Sequence, residues 1–166
     1  MAEPTNGKND PKPAEPQPVP VQVQIVGQYI KDLSFENPNV GKLLGKSTEK
    51  PNLKVEVNVA GRRLDGDVYE SAIDFKAQAT TKLGTIYDLE VIYAGLFKIQ
   101  NIPEQALEPF LLVNCPTLIF PFLRRLVADI SREGGFPPLL LDPIDFAALF
   151  MRRQKEMATA ASKAKT

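Results

Sequence analysis

The chain reads as an α+β protein, a four-stranded antiparallel sheet with helices packed on one face. Three observations lead there. Apolar and polar residues alternate between Val21 and Gly95, apolar residues recur at helical spacing from Pro103 onward, and short turn-forming stretches separate the alternating runs. Strands followed by helices, rather than interleaved with them, place the helices on one face of an antiparallel sheet.

The first strand is "VQVQIVGQYIKDLSFE", with Val21, Val23 and Ile25 toward one face and Gln22 and Gln24 toward the other. The second, "LKVEVNVAG", sets Leu53, Val55, Val57 and Val59 against Lys54, Glu56 and Asn58. The third sets Ile73, Phe75, Ala77 and Ala79 against Asp74, Lys76 and Gln78, and the fourth sets Tyr87, Leu89, Val91 and Tyr93 against Asp88 and Glu90. A period of two means one buried and one wet face. "GRRLDGD" and "TKLG" carry turn chemistry, so strands two to four form an antiparallel meander. "NPNVGKLLGKSTEKPN" is long enough to cross the sheet instead of closing a hairpin between strands one and two.

From Pro103 to Glu133 the period becomes helical. Leu118, Phe122, Leu126 and Ile130 form one line, with Ile119, Leu123 and Val127 beside it. Pro116 suits a first helical turn, and Pro121 should bend the helix or delay its start. Gly134-Gly135 is a stop signal. In "GGFPPLLLDPIDFAALF" (Gly134 to Phe150), apolar residues lie beside helix breakers; a last helix is expected to start near Asp142 as cap with Pro143 at its first position. Asp145 adds a second acid at that start. Residues 1–20 hold six of the fifteen prolines and almost no large apolar groups, so they read as a mobile Pro-rich tail. Residues 158–166 read as a flexible tail, which leaves 21–157 as the folded domain.

Composition narrows the chemistry. Twenty basic and twenty acidic residues cancel, which leaves no general field for nucleic acid. With no histidine, Ser-His-Asp and Cys-His catalysis are impossible within this chain, and the commonest metal ligand is missing. The lone Cys115 cannot form an internal disulfide or a CxxC site; it reads as a small buried apolar residue in a reducing compartment. "GKLLGKST" (Gly41 to Thr48) ends in Gly-Lys-Ser, but its glycines are spaced four apart, one short of a phosphate-binding loop. The longest uncharged stretch, Pro109 to Leu123, is short for a bilayer span and holds three prolines and Asn114. No apolar leader is visible, and the expectation is a soluble, cytoplasmic protein without catalytic residues, metal or cofactor. The wet strand faces carry Asp32, Glu36, Asp88 and Glu90, either a solvated face or an acidic docking surface. Phe110, Phe120, Phe122, Phe136, Phe146 and Phe150 exceed what so small a core can enclose, and the excess points to an oligomer interface or an apolar groove.

"QYIKDLSFENPN" (Gln28 to Asn39), "DVYE" (Asp67 to Glu70), "LIFPF" (Leu118 to Phe122) and "GGFPPLLLDPIDFAALF" together resemble the SecB protein-export chaperones, in family order and spacing from Val21 to Met151. The Pro-rich head looks like that of alphaproteobacterial members. The resemblance implies a homotetramer, a dimer of dimers. It implies a cytoplasmic, ATP-independent activity: binding unfolded secretory precursor proteins, keeping them competent for translocation and delivering them to the SecA ATPase. It implies no cofactor; the balanced charge and the short, proline-broken apolar stretch separately argue against nucleic acid and membrane insertion. Residue by residue, the client-groove positions of the family match Leu53, Val55, Val57, Tyr87, Phe122 and Phe150. The SecA-docking acids match Asp32, Glu36 and Glu90. Asp88 stands where the family has an apolar docking residue, a departure that shifts docking toward electrostatics. Many relatives end in an acidic tail; this chain ends "ASKAKT", and a tail-mediated contact is not carried over. The alternative is a structural, oligomeric protein that holds no clients.

Overall fold

The computed structural model describes residues 19–43 and 50–163. The reading of residues 1–18 as a Pro-rich tail, the Gly-Lys-Ser stretch and the last three residues lie outside them.

The strands are β1 (Gln22–Glu36), β2 (Asn52–Asp65), β3 (Val68–Thr81) and β4 (Gly84–Gln100). They form one antiparallel sheet in the order β1-β4-β3-β2. The meander of strands two to four is as expected. The connection from β1 to β2, which includes the short helix α1 (Val40–Leu43), crosses over the sheet, because β1 lies beside β4. Gly66 at φ 50° and Gly84 at φ 121° make the tight turns, in left-handed backbone that glycine adopts without Cβ strain.

Burial splits the alternation into two cases. In the central strands Ile73, Phe75, Leu89, Val91 and Phe97 are sealed, at 0–1% exposure. In the edge strands the matching rows stay half open: Val23, Ile25, Leu53 and Val55 are each about 40% exposed. The helices cover the centre of the sheet and leave its margins, which alternation alone does not reveal. β1 also changes phase. Register shifts between Ile25 and Gly27 and between Ile30 and Asp32 insert one extra residue each. Each bulge flips the side-chain parity, so Val23, Ile25, Ile30, Leu33 and Phe35 all share the helix side while Asp32 and Glu36 face away.

One helical run extends from Glu104 to Glu133: α2 (Glu104–Pro109), a π-helical turn (Phe110–Asn114) and α3 (Cys115–Glu133). Pro121 therefore neither delays nor stops the helix; Thr117, whose carbonyl loses its partner at Pro121, lies on the exposed side where water can serve. The π turn is stabilised from the sheet. Cys115 N–H bonds to the Phe110 carbonyl in the i→i+5 register. In that register the Leu111 carbonyl would need an N–H from Pro116, which has none. The buried Ser71 hydroxyl of β3 donates to it instead, at 2.8 Å. The stripe that packs on the sheet is Ile119, Leu123 and Val127, all at 0% exposure, whereas Leu118 and Phe122 are 45% and 51% exposed. By length and composition this run is apolar enough to cross a bilayer, contrary to the limit set by its longest uncharged stretch. The same composition is what covering a sheet requires.

Gly134 and Gly135 end α3 through Gly134 N–H to the Ile130 carbonyl and Gly135 N–H to the Arg132 carbonyl. A side chain at Gly134 would lie 2.3 Å from the Phe35 ring, so glycine admits β1 here. The last helix, α4, spans Phe146–Lys163 and is capped by Asp145, whose Oδ1 accepts the Ala148 N–H at 2.9 Å. This corrects the expected start at Asp142. Asp142-Pro143 belongs to the extended approach, and the acid that can reach a free N–H of the first turn lies three residues later. At its other end α4 continues to Lys163, past Ala158.

Candidate functional site

The chain between α3 and α4 positions one wall of a groove. Ser131, fully buried, donates to the Val127 carbonyl and accepts the Leu139 N–H at 2.8 Å, so the returning segment is tied to α3. Phe146 then anchors α4, 2% exposed and edge-on to Phe120 at 5.9 Å between ring centroids. With that first turn fixed, Leu149, Phe150, Arg152 and Arg153 lie along β2, the open edge of the sheet.

Three clefts follow that edge. One of about 420 Å³ is lined by Val55, Val57, Ile144 and Leu149; the next, of about 500 Å³, by Val57, Val59, Leu112 and Phe150. The third, of about 340 Å³, lies between Gly61, Arg63 and the α2 side chains Leu107 and Glu108. The structure thus brings Val55, Val57 and Phe150 together, with Leu53 next along the strand on the same face, opposite Ala79. It does not bring Tyr87 or Phe122 to these clefts. Tyr87 is 7% exposed, sandwiched between Phe35 at 5.6 Å and Phe136 at 5.3 Å, and burial raises its pKa. Phe122 stands on the open side of α3. The sequence marks Ile144 and Leu149 only as apolar positions of the last helix, and it does not mark Arg152 or Arg153 as groove residues. Leu149 sits three residues after the anchor Phe146, a spacing that could have flagged it; the arginines carried no such signal.

Among the described residues, no helix packs over the opposite face of the sheet. On it Glu36 pairs with Asp88 and Ser34 with Glu90 across β1 and β4, and Asp32 lies in the adjoining row opposite Ile92. Asp32, Glu36 and Glu90 are exposed, and Asp88 is half-buried. The three acids named from the sequence therefore share one corner with Asp88. Two are held in place from β3: Gln78 Nε2 donates to Asp88 at 2.7 Å, and Lys76 Nζ lies 3.2 Å from Glu90, a contact that raises the lysine pKa.

Further along the same face lies Glu70, a carboxylate only 3% exposed. Arg62 Nε and Lys31 Nζ each approach its Oε1 at 2.8 Å, and the Tyr29 hydroxyl donates to Oε2. The Arg62 guanidinium, with Lys31 and Tyr29, holds the Glu70 carboxyl down to about 2 against the opposing effect of burial. Tyr29, opposite Ala94, reaches it across β4. Both edge strands are so tied to β3. Among the described residues, no group of three or more His, Cys, Asp and Glu side chains is arranged to hold a metal ion.

Comparison with known proteins bears on the family and the fold. The family model described as preprotein translocase subunit SecB matches residues 15–157. The protein-export protein SecB of Parvibaculum lavamentivorans is 46% identical over 144 residues, which cover 87% of this chain and 86% of that protein. That of Rhizorhabdus wittichii is 48% identical over 84% of this chain and 82% of its own length. That of Rhodopseudomonas palustris strain BisA53 is 39% identical over 96% and 98%. Among solved structures, a SecB-like chaperone from Mycobacterium tuberculosis, determined in complex with a ChAD peptide, superposes with a TM-score of 0.58 at 15% identity, over 74% of this chain and 90% of that one. That likeness is one of fold.

Proposed function

Because the chain belongs to the SecB family and has its protein-export chaperone role, we propose that two surfaces divide the work. The groove along β2 holds unfolded precursor polypeptides, and the acidic corner of the uncovered face docks the SecA ATPase. The observation that carries this reading is the pairing of a half-open apolar row, Leu53, Val55 and Val57, with a second apolar wall from Phe150 and Leu149.

Removing apolar surface from water gains about 25 cal/mol per Å² and requires no exact sequence in the client. Folded proteins no longer expose such segments and escape. Asp32, Glu36 and Glu90, joined here by Asp88, supply a like-signed patch for a basic partner surface. The chaperone itself uses no ATP and no cofactor and works in the cytoplasm. The unit that does this is the sheet with its helices, from β1 through α4.

The assembly is a homotetramer. Its support is apolar surface left open on the monomer: Ile30 and Leu33 in β1, and Leu118 and Phe122 in α3, are each more than 40% exposed. Several grooves on one tetramer engaging one long chain add avidity. The test is suppression of aggregation of an unfolded secretory precursor without ATP, followed by its release on adding SecA. Equal binding of the same precursor after folding overturns the reading.

A further inference from the structure

Val59 lies opposite Ile73 in the β2–β3 ladder, yet its carbonyl points away from β3: it accepts a hydrogen bond from Arg153 Nη1 of α4 at 2.9 Å. In an antiparallel strand the N–H and C=O of one residue point to the same side, and alternate residues share that direction. The β2–β3 register is unbroken from Asn52 to Arg63. Leu53, Val55, Val57 and Gly61 therefore also present backbone N–H and C=O groups at the free edge. The residues that offer apolar side chains to the groove are thus the ones whose outward backbone no other described strand pairs with, the arrangement that strand addition to an extended polypeptide requires.

Arg153 interrupts this edge. It lines both the cleft at Phe150 and the one at Gly61, and so forms a bar between them. We infer that Arg153 is a register stop for client pairing. By occupying the Val59 carbonyl it confines backbone pairing to Leu53, Val55 and Val57, and the client leaves the edge at Val59 instead of continuing to Gly61. A guanidinium donor competes well with a neutral client N–H for that carbonyl. Arg152, the neighbouring cation, is directed to Glu156 at 3.7 Å, so the effect belongs to one side chain and not to local charge. The inference rests on the reading of the groove as the client site.

Amide hydrogen exchange of the full chain tests it, with and without a reduced, carboxymethylated unfolded protein as client. In the wild type, client binding slows exchange at Leu53, Val55 and Val57 by at least about tenfold and leaves Val59 and Gly61 unchanged. Arg153→Gln extends the slowing to Val59 and Gly61, while Arg152→Gln keeps the wild-type pattern. The same pattern in Arg153→Gln as in the wild type, or slowing at Val59 and Gly61 already in the wild type, overturns the stop. Client binding without slowing at any β2 amide overturns edge pairing and leaves the client-holding reading standing. No client binding overturns that reading itself.

Discussion

Glu36 and Asp88 face each other across the β1–β4 pair, on the side of the sheet away from the described helices. Like charges directly opposite one another are unfavourable in a ladder. Glu90 is next but one along β4, opposite Ser34, and Asp32 follows on β1. A surface that keeps such a cluster, with Lys76 pairing with Glu90, is suited to a cationic partner.

Reversing Asp32 and Glu90 to lysine is expected to lower SecA affinity at least ~10-fold and to leave client binding intact. Isothermal titration of each ligand against the variant checks both halves. Equal loss of client binding means that the two surfaces are not separate.

Asp88→Leu restores an apolar residue at a position where this chain carries an acid. Docking of the wild type should weaken steeply as salt rises above ~0.1 M, where the screening length falls below about 10 Å. The variant should show a shallower salt dependence. Titrations at a series of salt concentrations compare the slopes, and parallel slopes remove Asp88 from the docking surface.

Glu70→Ala leaves Arg62, Lys31 and Tyr29 without their shared acceptor and should cost about 1–3 kcal/mol in urea unfolding. The pH dependence follows from the lowered pKa. Its folded value of about 2 lies below the ordinary ~4.3 of an unfolded glutamate. The stabilisation is therefore complete above about pH 5 and is lost as pH falls toward 2. Glu70→Gln should flatten that acid limb; an unchanged limb assigns acid unfolding to other carboxylates.

Phe150→Ala should weaken client binding about tenfold, whereas Phe122→Ala should leave it unchanged and shift the association state instead. Phe150 shares a cleft with Val57; Phe122 is 51% exposed on the far side of α3. Client binding and sedimentation of both variants separate the two roles. Loss of client binding in Phe122→Ala with the assembly intact returns that residue to the groove.

Cys115 is fully buried, and burial pushes its thiol up to about 12. It should resist thiol reagents at pH 8 in the native protein and react as an ordinary thiol after unfolding in urea. Native labelling at the unfolded rate would place Cys115 outside the core.

The sequence by itself determined the elements and their class. The runs beginning at Leu53, Ile73 and Tyr87 alternate because a sheet with one covered face demands it, and the switch to helical spacing after Pro103 marks where the covering layer begins. The acids of the uncovered face could be named because their wet positions and a family resemblance coincided. Three things required the fold. The bulges of β1 reset its parity twice, and a bulge arises from pairing with β4, not from β1 alone. The helix keeps its π turn because Ser71, 40 residues before Leu111, donates the hydrogen bond that Pro116 cannot. The groove exists because α3 covers the centre of the sheet and leaves β2 open, so identical alternation seals Phe75 and leaves Val55 accessible. Periodicity records which way a side chain points. Whether anything packs against it is a long-range contact, and so is the hydrogen bond from Arg153 to Val59.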